Sequence, residues 1–130
     1  MLLSSSIVEL WNRVKAARYN RVMRPVRHPD PSHVQFTEVM HALSDPARVS
    51  IVEQLARARR PLTCAEVTGD RPKSSMSHHF RILREAGIIE TRVEGKEHFN
   101  RLRESELELR FPGLLPSLVR AIRRAGRGTS

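Results

Sequence analysis

Residues 73–100, KSSMSHHFRILREAGIIETRVEGKEHFN, change hydrophobic period at one glycine, and that change limits what the chain can fold into. Before it, Met76, Phe80, Leu83 and Gly87 fall on one side of a helical wheel. Gly87 stands where a glycine past the last turn ends a helix, and Pro72 fits the first turn. After it, IIETRV at 88–93 is rich in strand formers, Glu94-Gly95 suits a two-residue turn, and KEHFNRL returns as a second strand. The expectation is a helix running directly into a hairpin with Arg92 and Lys96 flanking its tip. The other face of that helix carries Ser74, Ser77, His78, Arg81 and Glu85, with Lys73, Ser75 and Arg84 at its margins. It is polar, basic, and short-chained near its start.

The residues upstream supply the rest of a small helical body. Phe36, Val39, Met40 and Leu43 have the i, i+3, i+4, i+7 spacing of a short amphipathic helix. Asp45 then suits an N-cap with Pro46 at the first helical position, and a helix to about Ala58 buries Val49 or Ile51, Val52 and Leu55 before Pro61 stops it. Residues 62–70, LTCAEVTGD, allow two helical turns that offer Leu62, Ala65 and Val67 for burial and end at Gly69. A helix, a short helix, a turn and a helix with a polar basic face, followed by a hairpin, is the order of a winged helix-turn-helix.

The ends differ from the middle. The chain has 130 residues, enough for one domain with a modest core, and a formal net charge of +9. Residues 1–32 hold six Arg or Lys against two acids and residues 120–130 hold four Arg against none, +4 each, leaving +1 between them. So basic a balance points to a polyanionic partner, with nucleic acid first. Residues 7–24 wind as an imperfect helix with Ile7, Leu10, Trp11, Val14, Ala17 and Val22 in one sector and Arg18 and Arg21 intruding. HPDPSH, 28–33, is expected to be a linker. Past ESELELRF and PGLLP, a last helix from about Pro116 to Ala125 sets Leu115, Leu118, Val119 and Ile122 in a stripe ringed by Arg120, Arg123 and Arg124, and GRGTS at 126–130 frays.

These parts make a mainly α fold: a basic N-terminal helix and linker (1–32), a winged helix-turn-helix with a two-stranded β-wing (33–113), and a C-terminal dimerisation helix with a basic tail (114–130). In the body, the second helix of the pair is expected to enter a DNA major groove, where Ser74, Ser75, Ser77, His78 and Arg81 meet base edges or phosphates, and Arg92 and Lys96 on the wing touch backbone or minor groove. His79, at the border of the apolar face, packs or hydrogen-bonds inside. Two terminal amphipathic helices can bury Trp11, Leu115, Leu118, Val119 and Ile122 against a second copy. For the N-terminal helix, dimer packing and DNA contact both stay open.

ALSDPARVSIVEQL at 42–55, LTCAEV at 62–67, SSMSHHFRILREAGII at 74–89 and the EGK wing tip resemble the ArsR-type winged-helix repressors. The resemblance spans residues 33–120 and implies a homodimeric regulator of transcription that binds double-stranded operators, with the first and last helices at the dimer interface and recognition-helix contacts at Lys73, Ser74, Ser75, Ser77, His78 and Arg81. Two departures stand out. The segment Leu62 to Ser77 is about two residues shorter than the family pattern. The paired cysteines or last-helix acids and histidines of metal-sensing members are also absent, since Cys64 stands alone and residues 114–125 hold no Asp, Glu, His or Cys.

A single cysteine excludes an intramolecular disulfide and an all-cysteine zinc site within the chain, so Cys64 is expected to be a small buried residue in a reducing setting. His28, His33 and His41 suggest no convincing metal set, and neither cofactor nor catalytic nucleophile stands out. No apolar run reaches membrane-spanning length and MLLSSSIVEL lacks a basic leader, which suggests a cytoplasmic protein without membrane contact. The rival reading is a sequence-indifferent DNA-coating protein that uses its basic termini.

Overall fold

The computed structural model describes residues 2–128. Among them are seven α-helices and one antiparallel four-stranded sheet. Helix α1 spans Leu2–Arg21 and leads into a two-residue strand, β1, Arg24–Pro25. A short 3-10 turn, Pro31–His33, precedes α2, Phe36–Ala42, and α3, Pro46–Ala58. Strand β2, Leu62–Thr63, leads into α4, Cys64–Thr68, then α5, Lys73–Glu85. The hairpin β3, Ile89–Glu94, and β4, Glu97–Leu102, is followed by α6, Glu104–Arg110, and α7, Leu114–Gly128. Of the GRGTS tail, Gly126–Gly128 continue α7, and Thr129 and Ser130 lie outside the described residues.

Helix α3 is the central post. Its Asp45 accepts from the amides of Ala47 at 2.8 Å and Arg48 at 3.3 Å, as the Asp-Pro pair predicts. Ile51, Val52 and Leu55 face inward, so Ile51 rather than Val49 is the core position. They meet Val39 and Ala42 of α2, Met76, Phe80 and Leu83 of α5, Ile88 just before the sheet, Ile89 and Leu102 within it, and Leu107 and Leu115 beyond it.

Helix α5 ends as its glycine requires. The Ile88 amide donates to Leu83 O at 3.0 Å and the Gly87 amide to Arg84 O at 3.1 Å, a Schellman closure with Gly87 at φ +85°. The hairpin differs by one residue from the sequence expectation. Glu94 pairs with Glu97, so the two-residue loop is Gly95-Lys96, and Gly95 takes the positive φ of +59°.

Two expectations change upstream. Leu62 and Thr63 are not helical. They pair with Asn100 and Phe99 as the third strand of the winged fold, and α4 begins only after the Thr63 cap. Residues 28–33, expected as a linker, are fastened to the body, and the residues just before them add to the sheet. Arg24 pairs with Val93 and Pro25 with Arg92, so the wing has an extra outer strand. The following crossover is fastened by Thr91 N–H donating to His28 Nε2 at 2.8 Å and by Arg103 reaching Pro29 O at 3.1 Å. Two prolines rule out a helix there but leave carbonyls free to be bound.

In α1 the inward residues are Tyr19 and Met23 just past its end, which pack on Phe99. The predicted apolar sector stays outside: Ile7, Leu10, Trp11, Val14 and Val22 are each about half exposed or more.

Candidate nucleic-acid interface

The turn between α4 and α5 is fixed by side chains that satisfy the ends of a very short helix. Thr63 Oγ1 accepts from Glu66 N at 3.0 Å while Glu66 Oε1 accepts from Thr63 N at 2.9 Å, a reciprocal cap. Arg60 pairs with the same carboxylate at 2.8 Å. That bond first, and the Thr63 amide after it, outweigh burial and hold the Glu66 carboxyl down to about 2. At the other end Arg71 donates to Val67 O at 2.9 Å and Thr68 O at 3.3 Å. Arg71 was not foreseen as structural. Its place one turn past Val67 was the only signal.

Helix α5 then leaves the body with its predicted polar face outward. Lys73, Ser74, Ser75, Ser77, His78 and Arg81 are all exposed, and Met76, Phe80 and Leu83 are buried on the other side. Ser75 Oγ donates to Pro72 O at 3.1 Å, which returns its hydroxyl to the first turn. Arg81 lies against His78 Nδ1 at 3.2 Å, so the two long side chains of the face stand together. His79 turns inward to Arg48, as its position at the border of the apolar face suggested.

On the wing, Lys96 is exposed in the loop, one residue from Glu94 and next to Glu97. Arg92 is not at the tip, and its side chain is engaged within the chain. Its guanidinium donates to the carbonyls of Tyr19 at 3.1 Å and Asn20 at 3.2 Å, in the last turn of α1. It also pairs with Glu90 at 3.2 Å and stacks 4.9 Å from the Tyr19 ring. A cation at a helix C-terminus is well placed to bind its last carbonyls. Glu90 is the hub: it accepts from Tyr19 Oη at 2.8 Å and Arg101 at 3.0 Å. Burial alone would raise its carboxyl, but the Tyr19 hydroxyl and both guanidinium groups win and lower it.

Behind the wing, buried Asn100 and Thr91 form a closed polar pair. Thr91 Oγ1 donates to Asn100 Oδ1 at 2.7 Å, and Asn100 Nδ2 donates to Leu62 O and Cys64 Sγ, both at 3.3 Å. Cys64 is half-buried, and burial pushes its thiol up.

The candidate dimer residues divide. Leu115 belongs to the core of its own protomer, because α7 begins at Leu114 and its first turn is tucked beneath α3 and α6. Val119 packs on the same core, Leu118 and Ile122 are half-buried, and Trp11 is 57% exposed. Among the described residues no group of three or more His, Cys, Asp or Glu is placed to hold a metal ion, and no helix is long and apolar enough to cross a membrane.

Comparisons with known proteins agree with this geometry. A family model described as a helix-turn-helix domain matches residues 43–92, from the end of α2 into the wing. The chain is 36% identical over 84 residues to the uncharacterized HTH-type transcriptional regulator YceK of Bacillus subtilis, covering 62% of this chain and 83% of that protein. It is 34% identical over 68 residues to the biofilm growth-associated repressor of Agrobacterium fabrum, covering 52% and 58% of the two. In fold it is similar to the crystal structure of an ArsR family transcriptional regulator, RHA00566, with a TM-score of 0.52 at 23% identity over 62% of this chain and 89% of that one.

Proposed function

Since the chain belongs to the HTH-type transcriptional regulators and shares the winged-helix fold, we propose that it is a homodimeric ArsR-type repressor of an inverted-repeat operator. Residues 73–86 of each subunit enter successive major grooves, with half-sites spaced by about one helical turn of DNA. Arg81 takes the bidentate part toward a guanine edge, with His78 beside it. Lys73, Ser74, Ser75 and Ser77 hold phosphates or nearby bases, and Lys96 touches the backbone. The observation that supports this most is the separation of faces on α5: every residue of the proposed reading set is exposed, while the helix is fixed from behind by Met76, Phe80, Leu83 and His79.

Dimerisation is proposed to use the exposed Ile7, Leu10, Trp11 and Val14 of α1 with Leu118 and Ile122 of α7. Leu118→Glu with Ile122→Glu should yield monomers by light scattering and lose operator binding; an unchanged dimer would move the interface elsewhere.

The deciding experiment is selection of bound genomic fragments at roughly physiological salt, followed by binding of the winner and a scrambled duplex across a salt series. A palindromic winner preferred about a thousandfold or more supports the repressor, and H78A/R81A should erase that preference while leaving most general affinity. Equal binding to both duplexes with one salt slope would replace it with a DNA-coating protein.

A further inference from the structure

The wing is poorly charged for DNA on its own. Its tip presents Lys96 against Glu94 and Glu97, which stand directly opposite each other, and one lysine minus two glutamates leaves −1. Arg92, the other basic residue near the tip, is turned toward α1. A wing of that sign would be repelled by a phosphate backbone.

What changes the sign comes from before the family-matched residues 43–92. The segment Arg18–Arg27, RYNRVMRPVR, carries an arginine at every third position, 18, 21, 24 and 27, and no acid. The fold brings its two ends to different parts of the DNA-facing side. Arg18 forms a two-pronged pair with Glu94, at 2.9 Å and 2.6 Å, and so neutralises one tip acid. Arg24 pairs in register with Val93, one rung from the Glu94–Glu97 pair. Arg27 lies farther back, where it lines a groove with His28, His33, Arg81 and Arg84, and with Asp30 and Glu85. Arg21, Arg24 and Arg27 are exposed and carry no ion pair among the described residues.

We propose that the N-terminal segment converts the hairpin into a three-stranded composite wing whose DNA-backbone contacts are made by the exposed Arg21, Arg24 and Arg27. This rests on the reading of α5 as the DNA-recognition helix and adds to it a contact surface that lies outside the helix-turn-helix. The strand is held rigidly enough to act as a surface, because Val26 N–H continues the ladder to Thr91 O at 3.0 Å, the Tyr19 hydroxyl is bound to Glu90, and His28 closes the pairing. Phosphate contacts of this kind add affinity without reading sequence.

The test uses the full chain and the selected duplex beside a scrambled one. Arg21→Ala, Arg24→Ala and Arg27→Ala together remove three contacts from each of the two subunits, and should lower the salt slope of binding by about five and weaken both duplexes by the same factor, with the preference between them retained. Glu94→Gln should act oppositely, tightening both duplexes, because it removes a tip acid and releases Arg18. An unaltered circular dichroism spectrum and urea midpoint would show that the triple variant is folded. An unchanged slope in that folded variant, while Arg81→Ala still abolishes discrimination, would overturn the composite wing and leave the recognition helix standing. Failure of the unsubstituted chain to bind either duplex would overturn both.

Discussion

Arg48 donates to His79 Nδ1 at 3.1 Å and thereby fixes the recognition helix to α3. A guanidinium can only donate, so Nδ1 is the accepting side of this contact. The same buried arginine holds Ala42 O, the last residue of α2, at 2.6 Å. One side chain thus joins three helices. Replacing it with methionine, of similar length, leaves two acceptors unbonded in a largely dry place.

Arg48→Met should therefore cost about 1–3 kcal/mol in urea unfolding, and operator affinity should fall further than the lost stability alone requires because α5 is no longer fixed in angle. An unchanged midpoint would mean that water takes over both acceptors.

Gly87 is held by contact as well as by its dihedral angle. A β-carbon there would stand 2.4 Å from Val34 Cγ2, on a backbone at φ +85°. Gly87→Ala is expected to lose about 2–4 kcal/mol, combining left-handed strain with overpacking. In a Val34→Ala background the loss should shrink, since only the contact is relieved. Equal losses in both backgrounds would assign the whole cost to the backbone.

His28 makes the outer strand sensitive to acid. Its Nε2 accepts from Thr91 N–H, so the ring must be neutral at that nitrogen, and burial above all lowers its pKa, against the pull of Glu90. A base with a lowered pKa in the fold contributes stability that is present above its unfolded value of about 6.5 and lost as pH falls through the folded one. Stability should decline below about pH 6.5, with faster amide exchange at Val26 and Thr91. His28→Gln, which keeps an acceptor but does not titrate, should flatten that part of the profile; an unaltered profile would assign the decline to other groups.

Cys64 should react slowly. Its thiol is raised by burial, only partly offset by the hydrogen bond from Asn100. Alkylation of the native protein near pH 8 should run at least about tenfold slower than in denaturant. Asn100→Ala should speed it by loosening β2 from β4, and equally fast labelling in both states would show that the thiol is open to solvent.

The helical stripe Met76-Phe80-Leu83, the Asp45-Pro46 start, the Gly87 stop and the strand pair after it were legible from residue order, because each depends on neighbours within a few positions. The outward set Lys73, Ser74, Ser75, Ser77, His78 and Arg81 followed from the same periodicity. The strand at Leu62-Thr63 did not, since a two-residue strand has no period and exists only because Asn100 and Phe99 lie beside it. Nor did the inward turn of Arg92, which depends on carbonyls 73 and 72 residues away. Local spacing by itself determined which segments are helix or hairpin and which face of α5 is polar. Tertiary structure decided which arginines remain outside, because a guanidinium is exposed or engaged according to the acceptors that distant chain brings to it, and no periodicity encodes that.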